Sequence, residues 1–260
     1  MWSSVSRAIA ALTSSGQEDR HYEIAAERIQ EALLTVDVPQ IAGLEVGVRA
    51  EPARLVGGDY VDLFTCDAQI MFGLGDASGK SLGAALNAMM LRYLVRGLTA
   101  ALGHGQIEAI MRHTNAVVAE DFRNTDYFIT LLIGILDPVS GRLRIVNAGH
   151  EPAMILRRAS SQVEMLTKHG IVLGVDQQTR YPLEEASLDV GDRAVFYTDG
   201  LTEASDRRGE LFTAQRVREN IVAHRDLSAQ DLANELFEAV KAYGDGQMRD
   251  DATILVIHRT

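Results

Sequence analysis

Two apolar segments in the middle of the chain, residues 127–136 and 143–148, are separated by six residues that begin with Asp-Pro-Val-Ser-Gly at 137–141. Aspartate, proline, serine and glycine favour tight turns, so this stretch predicts a hairpin. A connection this short joins antiparallel strands, because parallel strands need a crossover of a dozen or more residues. The chain must therefore build at least one antiparallel sheet.

The same reasoning extends along the chain, with apolar runs and alternating patterns predicting strands and 3.6-residue periodicity predicting helices. The other predicted strands are residues 44–50, 59–65, 70–75, 153–156, 163–166, 182–188, 193–197 and 253–258, and the predicted helices are 82–97, 106–121, 213–223 and 228–243. Hairpin-connected strands interrupted by pairs of helices indicate an α+β fold in which helices cover antiparallel sheets. Residues 37–260 show no linker that would separate two cores.

The N-terminal region shows the spacing of a helix and not that of strands. Apolar residues between 17 and 36 recur at spacings of three and four, which predicts an amphipathic helix that Pro39 ends. This helix could pack on its own domain or form a short coiled-coil seam. Residues 1–36 are therefore interpreted as an N-terminal tail and an amphipathic helix.

Charge and cysteine content exclude several classes of protein. The chain has 36 acidic and 25 basic residues, a net charge of −11, which disfavours binding to nucleic acid. The single Cys66 rules out an intrachain disulfide and fits a reducing compartment. No apolar run approaches the roughly 20 residues of a membrane span. We therefore expect a cytoplasmic protein without a membrane span.

Four aspartates share one kind of position. Asp59, Asp76, Asp199 and Asp250 each lie at the end of a predicted strand, with a glycine or a second aspartate beside them. Strand ends beside glycines present side chains and bare main chain to a ligand. Carboxylate, carbonyl and water oxygens are the ligands that Mg²⁺ and Mn²⁺ prefer. The pattern predicts a divalent-cation site built from distant parts of the chain.

Two short motifs begin like nucleotide-binding or nucleotide-cyclising signatures but do not match them in full. Gly-Lys-Ser at residues 79–81 precedes a helix, but a phosphate-binding P-loop needs a glycine at the position that Leu74 occupies. Gly-Gly-Asp-Tyr at residues 57–60 begins like the signature of diguanylate cyclases, but Tyr60 and Val61 break its continuation. Nucleotide cyclisation and nucleoside triphosphate hydrolysis are disfavoured on these grounds.

Five motifs together resemble the metal-dependent protein phosphatases (PPM, type 2C), in particular the bacterial branch typified by SpoIIE and RsbU. They are Val-Gly-Gly-Asp-Tyr-Val-Asp at 56–62, Gly-Asp-Ala-Ser-Gly-Lys-Ser at 75–81, Asn-Ala-Gly-His at 147–150, Tyr-Thr-Asp-Gly-Leu-Thr-Glu at 197–203 and Asp-Asp-Ala-Thr at 250–253. The resemblance runs from about Glu27 to the C-terminus. Glu151 and Ser81 depart from the family pattern at positions where proline and glycine are common, and neither is an expected metal ligand.

The resemblance implies a four-layer αββα sandwich of two antiparallel sheets flanked by helices, with two or three Mn²⁺ or Mg²⁺ ions at one end. By resemblance, Asp76 bridges two ions, Asp199 and Asp250 complete one of them, and the carbonyl of Ala77 reaches the other. Asp59 helps directly or through water. Asp251 would support the ligands from outside, and the role of Asp62 stays open. His150 is either a structural hydrogen-bonding residue, the reading we favour, or a general acid.

The resemblance also implies a function. The chain would hydrolyse a phosphoserine or phosphothreonine monoester through a metal-bridging hydroxide, on a STAS-domain antagonist of an anti-sigma factor. By the same resemblance, the amphipathic helix within residues 1–36 would be a linker or dimerisation helix, through which a homodimer could form. The alternative is a non-catalytic regulatory module that keeps the fold and binds a phosphoprotein, for which loss of Asp76, Asp199 or Asp250 would be the expected sign. All three are present.

Overall fold

The structure, a computed structural model, describes Leu34 and residues 36–79, 82–123 and 125–260. The predicted helix over residues 17–36 therefore lies outside the described residues, apart from Leu34 and Val36. Both of these side chains are partly buried and pack against the core between the sheets. The suggested role of this helix in dimerisation stays a prediction.

Ten strands and five α-helices form the described chain from Val36 onward. The strands are β1 (Leu44–Glu51), β2 (Asp59–Cys66), β3 (Gln69–Ala77), β4 (Ile129–Leu136), β5 (Arg142–Ala148), β6 (Ala153–Leu156), β7 (Val163–Leu166), β8 (Leu183–Ser187), β9 (Arg193–Tyr197) and β10 (Ala252–Arg259). The helices are α1 (Leu82–Leu102), α2 (Ile107–Phe122), α3 (Asp199–Thr202), α4 (Thr213–Ala223) and α5 (Ala229–Tyr243).

The strands form two five-stranded sheets in which all neighbours are antiparallel. Sheet I has the order β1-β10-β9-β6-β7, and sheet II has the order β2-β3-β4-β5-β8. In sheet I the first strand pairs with the last, with Leu44 opposite Arg259. Two of the four strand pairs in sheet II are hairpins, β2–β3 and β4–β5, and the second contains the predicted turn. This division brings the ends of distant segments to one end of the molecule.

Alternation along each strand separates two kinds of buried side chain. Val61 and Phe72 of sheet II face sheet I, whereas their neighbours Tyr60 and Met71 face the helices. The ring of Phe72 meets the ring of Phe196 from sheet I at a centroid distance of 4.6 Å. The alternation of side chains along the strands thus produces one hydrophobic core between the sheets and one between each sheet and its covering helices.

Helices cover both outer faces. Small residues of α1, including Ala84 and Ala88, allow this helix to pack with α2 on sheet II. Helices α4 and α5 cover sheet I, and α5 contributes Leu236 and Phe237 to that core. The predicted α+β fold, with four layers in the order αββα, is confirmed. Within the described residues no helix is both long enough and apolar enough to cross a membrane.

Helix α1 extends to Leu102 instead of ending at residue 97, and two further differences from the predicted elements have a clear physical cause. The strand predicted over residues 127–136 begins only at Ile129, because the main chain of Phe128 bonds to Ser78 instead of to a strand. The Phe128 N–H donates to Ser78 Oγ at 3.0 Å, and the Ser78 N–H donates to the Phe128 carbonyl at 3.0 Å. The short helix α3 was not predicted, since one turn of four residues has no detectable periodicity.

The core between the sheets generates the first prediction. Phe72→Ala should lower the free energy of unfolding by about 3–5 kcal/mol, because it removes a fully buried ring and its contact with Phe196. Urea denaturation measures the change. Val139→Ala is the control, since Val139 is 83% exposed and its truncation should stay within about 0.5 kcal/mol. Equal effects of the two substitutions would contradict this assignment of the core.

Candidate metal centre

The predicted aspartates lie at one end of the sandwich. Asp59 begins β2 and faces Asp76 directly across the β2–β3 pair. Asp199 begins α3 two residues after β9, and Asp250 precedes β10. Sheet II therefore supplies Asp59 and Asp76, and the strand ends of sheet I supply Asp199 and Asp250.

Hydrogen bonds across the two sheets show that these ends meet. Asp59 is 2% exposed, and its Oδ2 accepts hydrogen bonds from Thr198 Oγ1 at 2.9 Å and Thr253 Oγ1 at 2.6 Å. Thr198 precedes Asp199, and Thr253 lies in β10 shortly after Asp250. The buried carboxylate of Asp59 thus fixes the two sheet I segments against sheet II.

Burial and repulsion act on Asp59 together. Burial raises its pKa well above the usual value, the charge of Asp76 raises it further, and the hydroxyl of Thr253 offsets part of the effect. A carboxylate in this position is stabilised in its charged form by a nearby cation. The pair Asp59–Asp76 is therefore electrostatically suited to holding a cation.

The carboxylates on the sheet I side are also affected by burial and by mutual repulsion. Burial raises the pKa of Asp199 to about 6, and the charges of Glu203, Asp250 and Glu151 add to this rise. Glu151, the residue that departs from the family pattern, also has a raised pKa because of its burial. It accepts a hydrogen bond from Thr202 Oγ1 at 3.2 Å. Four carboxylates thus concentrate negative charge around the start of α3.

Close main-chain contacts shape the β2 side of the site. The Ala77 N–H donates to the Gly58 carbonyl at 3.1 Å, and a Cβ at residue 58 would overlap the Ala77 carbonyl. Glycine at this position therefore lets the loop before β2 pass directly over the carbonyl that was predicted as a ligand.

Asp251 supports this loop. Its Oδ1 accepts from the Ala53 N–H at 2.8 Å, and its Oδ2 accepts from the Gly58 N–H at 2.8 Å. Both oxygens are therefore engaged with the main chain, in agreement with a supporting position outside the ligand set.

Asp62 lies away from the other aspartates. It is fully buried and paired with α1, through Arg96 Nε at 2.6 Å and Arg92 Nη2 at 3.3 Å. Its place in the first motif reflects the attachment of helix α1 to β2.

His150 lies next to β4, the strand that pairs with β3. Its Nδ1 is 2.8 Å from Thr130 Oγ1, and burial lowers the pKa of the imidazole to about 4. His150 as a whole is 6% exposed, which favours the structural reading over a general acid at the surface.

The donor set fits hard divalent cations because every predicted ligand is an oxygen. The carboxylates come as two pairs, and among the described residues no three His, Cys, Asp or Glu side chains are close enough to form a metal cage on their own. Neighbouring carboxylates that repel one another and have raised pKa values nonetheless mark a place where cations would relieve the repulsion.

The sequence motifs contained residues whose roles were missed. Thr198 and Thr253 belong to two of the five motifs, yet only their aspartates were assigned. Thr198 directly follows the apolar strand β9 and Thr253 lies in the apolar strand β10, and both are fully buried. A polar residue next to such apolar runs was the available signal. Thr130 lies outside every motif, and its alignment with Asp76 becomes visible only in the β3–β4 register.

Comparisons with known proteins agree with this architecture. The family model described as Stage II sporulation protein E (SpoIIE) matches residues 67–260. Phosphoserine phosphatase RsbU of Bacillus subtilis (strain 168) is 29% identical over 237 residues, which cover 91% of this chain and 69% of RsbU.

Solved structures share the fold. The SiaA-PP2C domain of Pseudomonas aeruginosa superposes with a TM-score of 0.81 at 20% identity, covering 93% of this chain and 97% of that domain. The catalytic domain of serine threonine protein phosphatase PstP, in complex with two manganese ions, superposes with a TM-score of 0.63 at 16% identity. It covers 83% of this chain and 97% of that domain.

The contacts of Asp251 generate the second prediction. Asp251→Asn should increase amide hydrogen exchange at Ala53 and Gly58 by about tenfold or more, because the amide side chain has one acceptor oxygen for two N–H donors. Exchange measured by NMR checks this. Asp206→Asn is the matched control, since Asp206 Oδ1 accepts from the N–H groups of Arg208 and Glu210 in a separate turn. Unchanged exchange at residues 53–58 in Asp251→Asn would contradict the assigned role.

Proposed function

This chain belongs to the SpoIIE family, the SpoIIE/RsbU-like branch of the metal-dependent (PPM) protein phosphatases, and we propose that it hydrolyses phosphoserine or phosphothreonine in a protein. The observation that carries the proposal is the hydrogen bonding of Asp59. This carboxylate ties the strand ends that hold Asp199 and Asp250 to the pair Asp59–Asp76. These contacts link four of the five family motifs, which supports a shared site at this end of the sandwich.

The cations of this proposal are Mn²⁺ or Mg²⁺. Asp76, Asp199, Asp250 and the Ala77 carbonyl would hold them, with Asp59 contributing directly or through water. Bound divalent cations would neutralise the phosphate and activate a water for attack on phosphorus. The manganese bound by the structurally similar PstP supports this choice of metal.

The chain's own residues explain why the cations are required. Asp199, Asp250, Glu151 and Glu203 repel one another, and they would repel a phosphate group equally. Asp251 holds the loop before β2, while Thr198 and Thr253 hold Asp59. These contacts keep the carboxylates in place before substrate arrives, so less reorganisation is needed during the reaction.

We also propose the substrate class. It is a phosphorylated STAS-domain antagonist of an anti-sigma factor, as the resemblance to the SpoIIE/RsbU branch implies. The description of RsbU as a phosphoserine phosphatase supports the chemistry of this substrate. Residues 37–260 would form the phosphatase domain.

The alternative is a regulatory module that binds a phosphoprotein without hydrolysing it. Such a module has no need of the metal ligands, yet Asp76, Asp199 and Asp250 are all retained. The Asp59 contacts that organise them are also complete. These observations favour the enzyme.

The proposed activity generates the third prediction. With Mn²⁺, the protein should release phosphate from p-nitrophenyl phosphate and from a phosphoserine peptide, and excess EDTA should abolish release. Asp76→Asn should lower kcat by roughly two orders of magnitude or more, because it removes the charge of a residue that would hold the cations.

The matched control is Asp226→Asn, which removes a surface carboxylate paired with Arg158. This variant should keep its activity. Phosphate release that is indifferent to EDTA and to Asp76→Asn would overturn the proposed metal centre, and a folded wild-type protein without activity on either substrate would favour the binding module.

The N-terminal region generates the fourth prediction. We propose that residues 17–36 mediate a homodimer, since their apolar positions follow helical spacing. Deleting residues 1–33 should convert a dimer into a monomer in sedimentation equilibrium, while Leu34 and Val36 keep their core contacts. An unchanged oligomeric state would refute the proposal.

A further inference from the structure

A polar chain runs from the main chain of Asp76 into the interior of the protein. The Asp76 N–H donates to Thr130 Oγ1 at 3.3 Å, and Thr130 Oγ1 lies 2.8 Å from His150 Nδ1. Thr130 is the residue directly opposite Asp76 in the β3–β4 pair. Its hydroxyl therefore lies beside the main chain of the aspartate assigned to bridge the cations.

The number of available hydrogens decides the direction of the hydrogen bond between Thr130 and His150. An N–H can only donate, so the Thr130 oxygen accepts from Asp76 and its single hydrogen remains for another partner. If the hydroxyl donates to His150 Nδ1, its hydrogen is satisfied and the ring proton is on Nε2. If Nδ1 donated instead, the hydroxyl hydrogen would have no identified acceptor among the described residues, and the buried Nε2 would be a bare acceptor. The first arrangement leaves fewer buried groups unsatisfied.

The surroundings of the imidazole agree with that arrangement. Burial lowers the pKa of His150 to about 4, so the ring is neutral near pH 7 and its Nδ1 can accept. Nε2 has no hydrogen-bond partner in the described chain, but the main chain of Tyr197 is close enough to the ring to favour a ring proton. Tyr197 ends β9 two residues before Asp199. The ring thus lies between the two sheets, close to the segments that carry two predicted ligands.

The position of His150 is fixed from its other side. Its N–H donates to Asn147 Oδ1 at 2.7 Å, and Asn147 Nδ2 donates to the His150 carbonyl at 3.0 Å. Asn147 and His150 are both buried. The Asn-Ala-Gly-His motif is thereby a closed turn that aims the imidazole at Thr130.

We propose that Thr130 and His150 are positioning residues: His150, protonated on Nε2, accepts the Thr130 hydroxyl hydrogen and so orients the Thr130 oxygen to hold the Asp76 main chain. The motifs alone do not give this role. Thr130 belongs to none of them, and His150 could have been either a structural residue or a general acid. The proposal rests on the proposed function only for its effect on turnover. The binding of Mn²⁺ and the tautomer of His150 are measurable without a substrate.

The test compares Thr130→Val, which keeps the shape and loses the hydroxyl, with Thr130→Ser, which keeps the hydroxyl. Isothermal titration calorimetry with Mn²⁺ should give a Kd raised roughly 10–100-fold in the valine variant, the size of effect that supporting residues have on metal sites. The serine variant should stay within about threefold of the wild type. Turnover of p-nitrophenyl phosphate should require correspondingly more Mn²⁺ in the valine variant and recover in the serine variant.

Thr99→Val is the matched control. Thr99 is also buried, and its hydroxyl donates within α1 to the Val95 carbonyl at 2.7 Å, away from the aspartates. Its substitution should leave the Mn²⁺ affinity unchanged. Equal affinities in Thr130→Val and Thr130→Ser would overturn the proposal, whereas a wild-type protein that binds Mn²⁺ but hydrolyses nothing would overturn only the proposed function.

The tautomer of His150 distinguishes the proposed hydrogen bonds from a role in packing alone, because packing does not determine which ring nitrogen carries the proton. Nitrogen NMR of the wild-type protein should show His150 neutral at pH 7, with its proton on Nε2 and an accepting Nδ1. The resonances are assigned by their loss in His150→Gln, and the Nδ1 shift should move in Thr130→Val. A proton on Nδ1, or a charged ring at pH 7, would refute the proposed direction of the hydrogen bonds.

Discussion

The arrangement of the site depends on one buried carboxylate. Asp59 belongs to sheet II, yet its Oδ2 accepts hydroxyl hydrogen bonds from Thr198 and Thr253 of the sheet I side. A carboxylate buried without such donors would be strongly destabilising, so the two threonines and Asp59 must be retained together. Because each threonine lies close to a predicted ligand, the same contacts define where the ends of the two sheets meet.

This constraint has an electrostatic consequence. The sandwich collects Asp59, Asp76, Asp199 and Asp250 at one end, and burial raises the pKa of Asp199 to about 6 while repulsion from its neighbours adds to the rise. A fold selected for stability alone would not gather like charges in a half-buried place. The arrangement supports the proposal that divalent cations bind here and relieve the repulsion.

Sequence reasoning recovered most of the fold because the strands are short and strongly patterned. The predicted bounds of residues 153–156, 163–166 and 193–197 coincide with β6, β7 and β9. It overextended β4 because Phe128 has a strand-like side chain while its main chain bonds to Ser78. Periodicity records which face a side chain occupies, but it contains no information about which distant main chain competes for a hydrogen bond.

The site was predictable only in part for the same reason. The four aspartates could be recognised from their place at strand ends, and the motifs supplied their proposed roles. The partners of these residues depend on register and on the contact between sheets, so Thr130, Thr198 and Thr253 received no role. Asp62 illustrates the reverse case, since it shares a motif with Asp59 but its charge is paired with Arg92 and Arg96 of α1.

The central claim is that aspartates of the two sheets hold divalent cations jointly. Anomalous diffraction from crystals grown with Mn²⁺ tests it most directly, because the signal locates the ion without reference to activity. The account predicts manganese peaks within bonding distance of Asp76 and of Asp199 or Asp250. Crystals saturated with Mn²⁺ that show no peak between these carboxylates, or peaks only elsewhere on the protein, would contradict it.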